Sequence, residues 1–446
     1  MELIIHRGTR EIGGTCVEVI TENTRILLDF GMPLGDGRGG EFEEQALEGK
    51  SIAELIEKRI LYPIRGLYKD SVPQINAILI SHSHKDHYGF LKFAHPDIPV
   101  YMSSGAEKLI NVLNIFLKKE GRLQLSKTVK LVYDRKSFDI GGLRITPYLV
   151  DHSAFDAMSF CVVDKTGGKS IFYTGDFRAA GWKSKLFDRF VANPPKGIDC
   201  LLMEGTMIER EAGKYPTEQD VLDRMVEILK GTDKRVTFAC CSGQNIDRIV
   251  TFYKAARRTK SILVIDPYMA CVLNVIKSPS GHIPQMDWNS VRVFISNYYG
   301  KGDVYLNKIN DSSFKHLLPD LAHAKIKPLD FQMLKEKTLI LMRGSMIPAL
   351  EKIPGIQGSK IVYSQWQGYL DKDSPDTRKF KAFVSKYGLD FEHVHTSGHA
   401  TVDKLKRFAK ALNPGLLIPI HTFDAGKYPG LFENVKVMKD GESLRL

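Results

Sequence analysis

At 446 residues the chain is longer than one ordinary hydrophobic core, so two or three domains are expected. Its composition, 43% hydrophobic and 26% charged, is that of a globular protein, and no apolar run approaches the ~20 residues of a membrane span. The net charge of +11 is compatible with a polyanionic partner and equally with solvated surface lysines.

Six cysteines are scattered along the chain without a C-x-x-C pair. In a chain of this length the pattern indicates free thiols in a reducing compartment, not a disulfide framework or a cysteine zinc site. The N-terminal stretch lacks the basic and long apolar regions of a signal peptide. We therefore predict a cytoplasmic protein without a membrane partner.

Short apolar strands separated by turns are predicted for residues 1–205. Several of these strands end in a polar residue: Asp29, His82, His152, Asp176 and Glu204. Functional groups gather where strands leave a sheet, because the scaffold is rigid there and the loops are free. The spacing of apolar residues predicts helices within 43–60 and 104–121, and Gly141-Gly142 predicts a hairpin turn.

From about residue 206 strands and helices alternate, which indicates βαβ units and a parallel sheet. Segment 216–231 has strong amphipathic periodicity, with Thr217 as the predicted N-cap and Gly231 just after the helix. Segment 388–421 returns to strand, polar loop, helix and strand. We therefore predict an α/β segment, residues 206–365, inserted into a strand-rich domain made of residues 1–205 and 366–446.

The most informative motif is H-x-H-x-D-H at residues 82–87, directly after the apolar run NAILI. Alternating residues leaving a strand put His82 and His84 on one side, so both can reach one ion. Asp86 and His87 fall in the following turn and can serve a second ion. Imidazole and carboxylate without thiolate suit Zn²⁺ or Mn²⁺. A solvated loop with Asp86 as a helix cap is the less favoured alternative.

Four further residues could complete such a centre: Asp29, His152, Asp176 and His421. Each alone is weak evidence, since an Asp at a strand end is more often a turn residue. Together they supply a third histidine for each ion and a carboxylate able to bridge two ions.

With these residues the chain resembles the metallo-β-lactamase fold, whose successive motifs match Asp29, HSHKDH, His152 and Asp176. The continuation resembles the β-CASP branch of nucleic-acid-processing hydrolases. MEGT with Glu204 is similar to its motif A, HTSGHA with His399 to motif B, and IPIH with His421 to motif C. SGQNIDRIVTFYKAARR resembles the opening of the β-CASP insert. The resemblance implies an α/β fold, an αββα sandwich with an inserted α/β domain.

The resemblance also implies roles for these residues. His82, His84 and His152 would hold one zinc, and Asp86, His87 and His421 the other, with Asp176 bridging and Asp29 orienting the histidines. Two such Zn²⁺ ions, or Mn²⁺ in their place, share a water and clamp a phosphodiester for in-line attack. His399 is the implied general acid, oriented by Glu204, and Asp86 and Asp176 also belong to the implied catalytic set.

The implied substrate is RNA, because members of the branch that act on RNA tend to have histidine at motif C. The spacing of His395, Ser397 and His399 resembles the ribonuclease J pattern, whose pocket binds a substrate phosphate. This predicts RNA cleavage by 5′ exonuclease action, endonuclease action or both; a structural turn is the alternative for His395 and Ser397. The chain differs from ribonuclease J in having few residues after His421, where that family usually carries a self-association domain, and in its long segment 35–68.

Three other functions stay open. They are a DNA exonuclease of the same branch acting on single-stranded DNA, a metallo-hydrolase of small substrates, and an inactive RNA-binding paralogue. The insert and motifs A to C argue against small substrates, and competent residues at all seven ligand positions argue against inactivity. A homodimer is compatible with the sequence. Trp366 and Tyr369 are candidates for base stacking, and burial is the commoner explanation for such aromatics.

Overall fold

The computed structural model describes residues 1–36, 40–117, 121–123, 125, 127–210, 213–277, 281–295 and 304–446. The strands in these ranges are β1 Glu2–Arg7, β2 Cys16–Ile20, β3 Arg25–Leu28, β4 Ala77–Leu79, β5 Val100–Ser103, β6 Val129–Val132, β7 Phe138–Ile140, β8 Leu143–Leu149, β9 Met158–Asp164, β10 Ser170–Tyr173, β11 Cys200–Glu204, β12 Val236–Cys240, β13 Ile262–Ile265, β14 Val291–Phe294, β15 Lys325–Ile326, β16 Thr338–Met342, β17 Lys360–Tyr363, β18 Asp390–His393, β19 Leu416–Ile420 and β20 Ser443–Arg445. The helices are α1 Ile52–Glu57, α2 Lys85–Tyr88, α3 Ser104–Phe116, α4 Lys185–Ala192, α5 Glu218–Gly231, α6 Ile246–Arg258, α7 Pro267–Val275, α8 Val304–Asn310, α9 Leu318–His323, α10 Ile347–Leu350, α11 Gly368–Asp371, α12 Pro375–Lys386 and α13 Val402–Leu412.

Two sheets of mixed direction face each other. The first has the order β20-β1-β2-β3-β4-β5-β6 and is parallel from β3 to β6. The second has the order β19-β11-β10-β9-β8-β7, and β19, β11 and β10 run parallel. Strand β19 therefore joins the chain's late segment to β11, although the two are separated by about two hundred residues of sequence.

Apolar side chains of the two sheets fill the space between them, and helices cover the outer faces. Leu28 and Phe160 lie in the shared core, whereas the neighbouring Leu27 points outward to the layer that contains α1 and α3. The outer face of the second sheet packs against α4 and α13, including Phe187 and Phe408. The layers run helix, sheet, sheet, helix, which confirms the predicted αββα sandwich.

A third sheet is parallel throughout, with the order β15-β14-β13-β16-β12-β17-β18. Helices α5, α6 and α7 cover one face, and α10 and α12 cover the other. Strand β16 is buried at every position, as expected for a parallel strand covered on both sides. This parallel sheet agrees with the α/β insert of the predicted fold class. The bounds 206–365 stay a prediction, and the sheet continues past residue 365, because β18 pairs with β17.

Most local predictions agree with these elements. The hairpin at Gly141-Gly142 joins β7 to β8. Thr217 caps α5 by accepting a hydrogen bond from the Asp220 backbone N–H, but Gly231 is the last residue of the helix and does not follow it.

The two predicted helices of the first domain are shorter than their periodicity indicated. Within 43–60 only α1 is an α-helix, because Gly49 has a positive φ of 67° that ends the preceding turn, and Ser51 then caps α1. The predicted helix 104–121 is α3, and residues 118–120 lie outside the described ranges. Among the described helices, none is both long and apolar enough to cross a membrane.

Candidate metal centre

The polar residues that follow the strands come together at one end of the two facing sheets. Asp29 follows β3, and the motif at residues 82–87 follows β4. Asp176 and His421 follow β10 and β19, and Glu204 is the last residue of β11. Because β3 runs parallel to β4, and β10, β11 and β19 run parallel to one another, the carboxyl ends of each set share one edge.

His82, His84 and His152 form the first group. The His84 Nδ1 atom lies 3.1 Å from His82 Nε2 and 3.3 Å from His152 Nε2. The far sides of two rings are fixed by neighbours: His152 Nδ1 donates to the Gly398 carbonyl at 2.6 Å, and His82 Nδ1 lies 3.0 Å from Ser81 Oγ. Such contacts hold a histidine in one orientation and tautomer.

Asp86, His87, Asp176 and His421 form the second group, in which one potential ligand atom of each residue lies within 4.8 Å of the others. Asp176 Oδ2 is 3.2 Å from His87 Nε2, and Asp86 Oδ2 is 3.3 Å from His421 Nε2. Asp176 Oδ2 also lies 3.8 Å from His82 Nε2 in the first group. The carboxylate of Asp176 thus lies within 4 Å of a histidine of each group, and its bridging role stays a prediction.

Asp29 holds His87 of the second group and two neighbouring side chains in place through hydrogen bonds. Its Oδ2 accepts a hydrogen bond from His87 Nδ1 at 2.6 Å and one from Tyr173 Oη at 2.5 Å, and both of its oxygens accept from Ser81. Asp29 and His421 have positive φ angles of 59° and 51°. Backbone strain of this kind persists only where surrounding contacts hold it, and it is concentrated at functional sites.

The ionisation of the cluster suits a cation. Burial lowers the pKa of His82 and of His152 well below the ordinary value, and the neighbouring histidines lower both further. Both imidazoles are therefore neutral near pH 7, which metal binding requires. Burial also acts to lower the pKa of His87, but the charges of Asp176, Asp29 and Asp86 raise it well above the ordinary value. That corner of the cluster therefore attracts positive charge.

The residues present fit a divalent metal ion. Among the described residues, His87 Nε2 and Asp176 Oδ1 of the second group are buried and make no hydrogen bond of good geometry, although each lies within 3.4 Å of a polar atom of the cluster. Unpaired buried polar atoms are costly, and a bound cation satisfies them. The donor set of imidazoles and carboxylates, free of thiolate, matches ions such as Zn²⁺ and Mn²⁺.

His399 and Glu204 lie beside the second group. His399 Nδ1 is 3.4 Å from Glu204 Oε2 and 3.8 Å from Asp176 Oδ2. The His399 side chain is 20% exposed, whereas Glu204 is fully buried and accepts hydrogen bonds from two backbone N–H groups. Burial acts to lower the pKa of His399, but Glu204 and then Asp176 raise it. His399 is therefore an accessible, proton-holding group at the edge of the cluster.

His395 and Ser397 share the loop of His399 but make different contacts. Arg248 donates a hydrogen bond to His395 Nδ1 at 3.3 Å, which leaves Nε2 of the ring to carry the proton. Ser397 Oγ accepts from the His399 backbone N–H at 3.1 Å and lies 3.3 Å from Met207 Sδ. Ser397 therefore takes part in the turn that presents His399, and the phosphate role of His395 and Ser397 stays a prediction.

Two buried arginines that the sequence did not single out hold this loop. Arg178 donates to the Ser397 carbonyl at 3.1 Å, and Arg248 donates to the Thr396 carbonyl at 3.2 Å. Both side chains are fully buried and both contact Glu218 at the start of α5. The position of Arg178, two residues after Asp176, was the available signal, but nothing local indicated its partners.

Comparisons with known proteins agree with this fold and site. A family model described as the beta-lactamase superfamily domain matches residues 45–240. Together with the αββα sandwich and the histidine cluster at its strand ends, the match identifies the class: the chain contains a metallo-β-lactamase fold domain.

More particularly, the chain is homologous at low identity to ribonuclease J and to transcription termination factor FttA. The ribonuclease J of Helicobacter pylori (strain B128) is 22% identical, in an alignment covering 98% of this chain and 60% of the relative. FttA of Methanothermobacter thermautotrophicus is 22% identical, over 86% of this chain and 56% of the relative. The chain thus spans about three-fifths of the length of the curated relatives it matches. These matches confirm the family resemblance drawn from the motifs.

A solved structure supports the fold over the whole chain. The crystal structure of a protein of unknown function from Enterococcus faecalis V583 superposes with a TM-score of 0.77 at 23% identity, covering 100% of this chain and 99% of that one. This similarity concerns the fold alone.

Proposed function

We propose that the protein is a two-zinc phosphodiester hydrolase that cleaves RNA. The observation that carries the proposal is the pair of ligand groups joined by Asp176, with His399 and Glu204 beside them. Relatives named ribonuclease J, similar over most of the chain, support RNA as the substrate. In this proposal His82, His84 and His152 hold one ion, and Asp86, His87 and His421 hold the second.

Bound divalent ions would supply Lewis-acid stabilisation of the charge that develops on the phosphodiester, and Mn²⁺ could replace Zn²⁺ in this role. The side chains of the protein would hold the ions, fix their spacing and supply the proton. Asp176 faces both groups and fixes their spacing, and Asp29 holds His87 through its Nδ1 atom. Both carboxylates are buried, so these side chains keep their orientation and exclude bulk water.

His399 is suited to give a proton to the leaving oxygen. Because its pKa is raised, a larger fraction of His399 is protonated near neutral pH than of an ordinary histidine. Its partial exposure lets a substrate reach it. Glu204 orients the ring and stabilises the protonated form. His395, with its proton on Nε2, can donate to a phosphate oxygen on the same loop, and Ser397 would contribute its hydroxyl. Such a phosphate pocket favours 5′-monophosphorylated ends.

The decisive experiment compares RNA carrying a 5′-phosphate, 5′-hydroxyl or 5′-triphosphate with DNA of the same sequence, using purified protein and added Zn²⁺ or Mn²⁺. We expect RNA to be cleaved and the 5′-phosphorylated RNA to be cleaved fastest. Faster cleavage of DNA would favour the DNA exonuclease alternative. Hydrolysis of a lactam or thioester without cleavage of either nucleic acid would contradict the proposal.

Asp86→Ala tests the metal assignment in the same assay. Loss of a ligand to the second ion should abolish cleavage and lower the bound metal measured by elemental analysis, with an unchanged circular dichroism spectrum. Asp97→Ala is the matched control, because Asp97 is 57% exposed and its ion pairs in the described structure are with the exposed Lys127 and the partly buried His95. Turnover by Asp86→Ala at the wild-type rate would refute the two-metal reading. The cytoplasmic location and the homodimer stay predictions.

A further inference from the structure

Two large aromatic side chains after β17 are exposed, contrary to the simpler expectation that they are buried. Trp366 is 40% exposed and Tyr369, in α11, is 46% exposed. Their ring centroids are 5.4 Å apart, with the planes at 83°. Exposed aromatic groups that contact each other are a candidate binding surface, because contiguous exposed apolar groups mark interaction sites more often than isolated ones.

The pair is held in place by its surroundings. The Tyr369 backbone N–H donates to the Trp366 carbonyl at 3.1 Å, and Thr377 Oγ1 donates to the Tyr369 carbonyl at 3.0 Å. The neighbouring Leu370 is buried in the core of the third sheet. A Cβ atom at Gly368 would come within 2.3 Å of the Trp366 ring, so the indole packs across this glycine. The rings are therefore pre-positioned.

A cation completes the pair. The guanidinium carbon of Arg210 lies 4.6 Å from the centroid of the Trp366 ring. A planar guanidinium stacks on an aromatic face and can also pair with a phosphate. Burial lowers the pKa of Arg210, and the nearby Tyr369, Asp424 and Glu204 act against this lowering. Arg210 therefore adds a positive charge to the aromatic pair at the Trp366 ring.

Chain connections place these groups at the rim of the metal centre. Arg210 ends the turn that begins after Glu204, and its backbone N–H donates to the Met207 carbonyl. Beyond α11, Lys372 Nζ forms an ion pair at 3.0 Å with Glu41 of the 35–68 segment. Met207, in the same turn as Arg210, lies with its Sδ atom 3.3 Å from Ser397 Oγ in the loop of His399.

We propose that Trp366, Tyr369 and Arg210 form a stacking platform for an unpaired base of the RNA strand, next to the phosphate that is cut. The inference rests on the proposed function and names a subsite for it. Stacking on aromatic rings accepts every base, because each has a π-face, so the platform would bind the strand without selecting its sequence. Arg210 would add a charge contact to the backbone phosphate beside that base.

The test measures binding of the metal-loaded 446-residue chain to short 5′-phosphorylated RNA with phosphorothioate linkages, which slow hydrolysis. Trp366→Ala should weaken binding about 5- to 150-fold, the cost of losing one stacked base. Trp366→Phe should keep most of the affinity, whereas Trp366→Leu, which is apolar but has no ring, should not. Tyr133→Ala is the matched control. Tyr133 is an aromatic residue that is 52% exposed, and it follows β6, an edge strand of the first sheet.

Substrate changes make the test specific. A single abasic nucleotide, moved along the RNA, should reduce wild-type affinity most at one position, and at that position wild type and Trp366→Ala should bind equally. The proposal is overturned if Trp366→Ala binds as wild type does, if Trp366→Leu restores affinity, or if the loss persists with the abasic nucleotide at every position. Wild-type protein that neither binds nor cleaves RNA would overturn the proposed function. This outcome needs no variant, so it is distinguished from failure of the platform proposal alone.

Discussion

Replacing Glu218 by glutamine removes a carboxylate charge that contacts two buried arginines. Its Oε1 atom lies 3.1 Å from Arg248 Nη2 and 3.4 Å from Arg178 Nη1, and Thr251 donates to Oε2 at 2.7 Å. Among the described residues, Glu218 is the carboxylate that pairs with Arg248. The Glu218→Gln variant therefore leaves the Arg248 guanidinium buried without a counter-charge.

Two estimates of the cost agree. Breaking a buried ion pair by removing one partner costs about 3–5 kcal/mol. Burial acts to raise the pKa of Glu218, but Arg248 and Arg178 bring it down to about 2 from the ordinary 4.5. That difference corresponds to about 3 kcal/mol of folding free energy at neutral pH. We expect the free energy of unfolding to fall by about 3 kcal/mol, at the lower end of the range, because the amide oxygen of Gln still accepts hydrogen bonds.

Urea denaturation followed by tryptophan fluorescence measures the loss. Trp182 reports on this region, since its indole N–H donates to Thr251 Oγ1 at 2.9 Å. Glu227→Gln is the matched control: Glu227 is 65% exposed and pairs with Arg224 at the surface, so its loss should stay below about 1 kcal/mol. A Glu218→Gln loss no larger than this control would refute the reasoning.

The pH dependence gives a second check. The folded pKa of Glu218 lies below its unfolded value, so its contribution is complete above about pH 5 and falls away as the pH drops towards 2. The difference in unfolding free energy between wild type and Glu218→Gln should therefore shrink through this range. A difference that stays constant down to the lowest pH at which both fold would show that the charge is not its source.

Three further outcomes are expected at the metal centre. His399→Ala should slow RNA cleavage about 10²- to 10⁴-fold yet retain both metals, and lost metal by elemental analysis would reassign His399 as a ligand. Asp29→Asn should weaken metal affinity about 10- to 100-fold in chelator competition, because His87 loses its carboxylate partner; unchanged affinity would contradict this. Dialysis against a chelator should abolish cleavage, and Zn²⁺ or Mn²⁺ should restore it; activity surviving chelation would exclude a metal-dependent reaction.

The candidate ligands that the structure brings together could be picked out from the sequence, because they follow apolar strands. His82, His84 and Asp86 also lie within five positions of one another, so their proximity needed no knowledge of the fold. The helix cap at Thr217 and the hairpin at Gly141-Gly142 were also predictable, because the residues that form them are close in sequence. Thr217 and its partner Asp220 are three residues apart.

What could not be predicted depends on partners distant in sequence. The chain has 63 Lys and Arg residues, and only the fold decides that Arg178 and Arg248 meet Glu218 in its interior. Strand β18 joins the third sheet because β17 offers it an edge, which no local pattern indicates. The exposure of Trp366 runs against the average preference of tryptophan, because Gly368 and Arg210 hold its ring at the surface.

The pairing of β19 with β11 has a consequence for the protein during its own synthesis. The three histidines of the first ligand group have all been translated by residue 152, but the second group waits for His421, which follows β19. The whole inserted sheet is translated in between. On the proposed function, a nascent chain that has not yet reached His421 lacks a working site, so it does not cleave the messenger that encodes it.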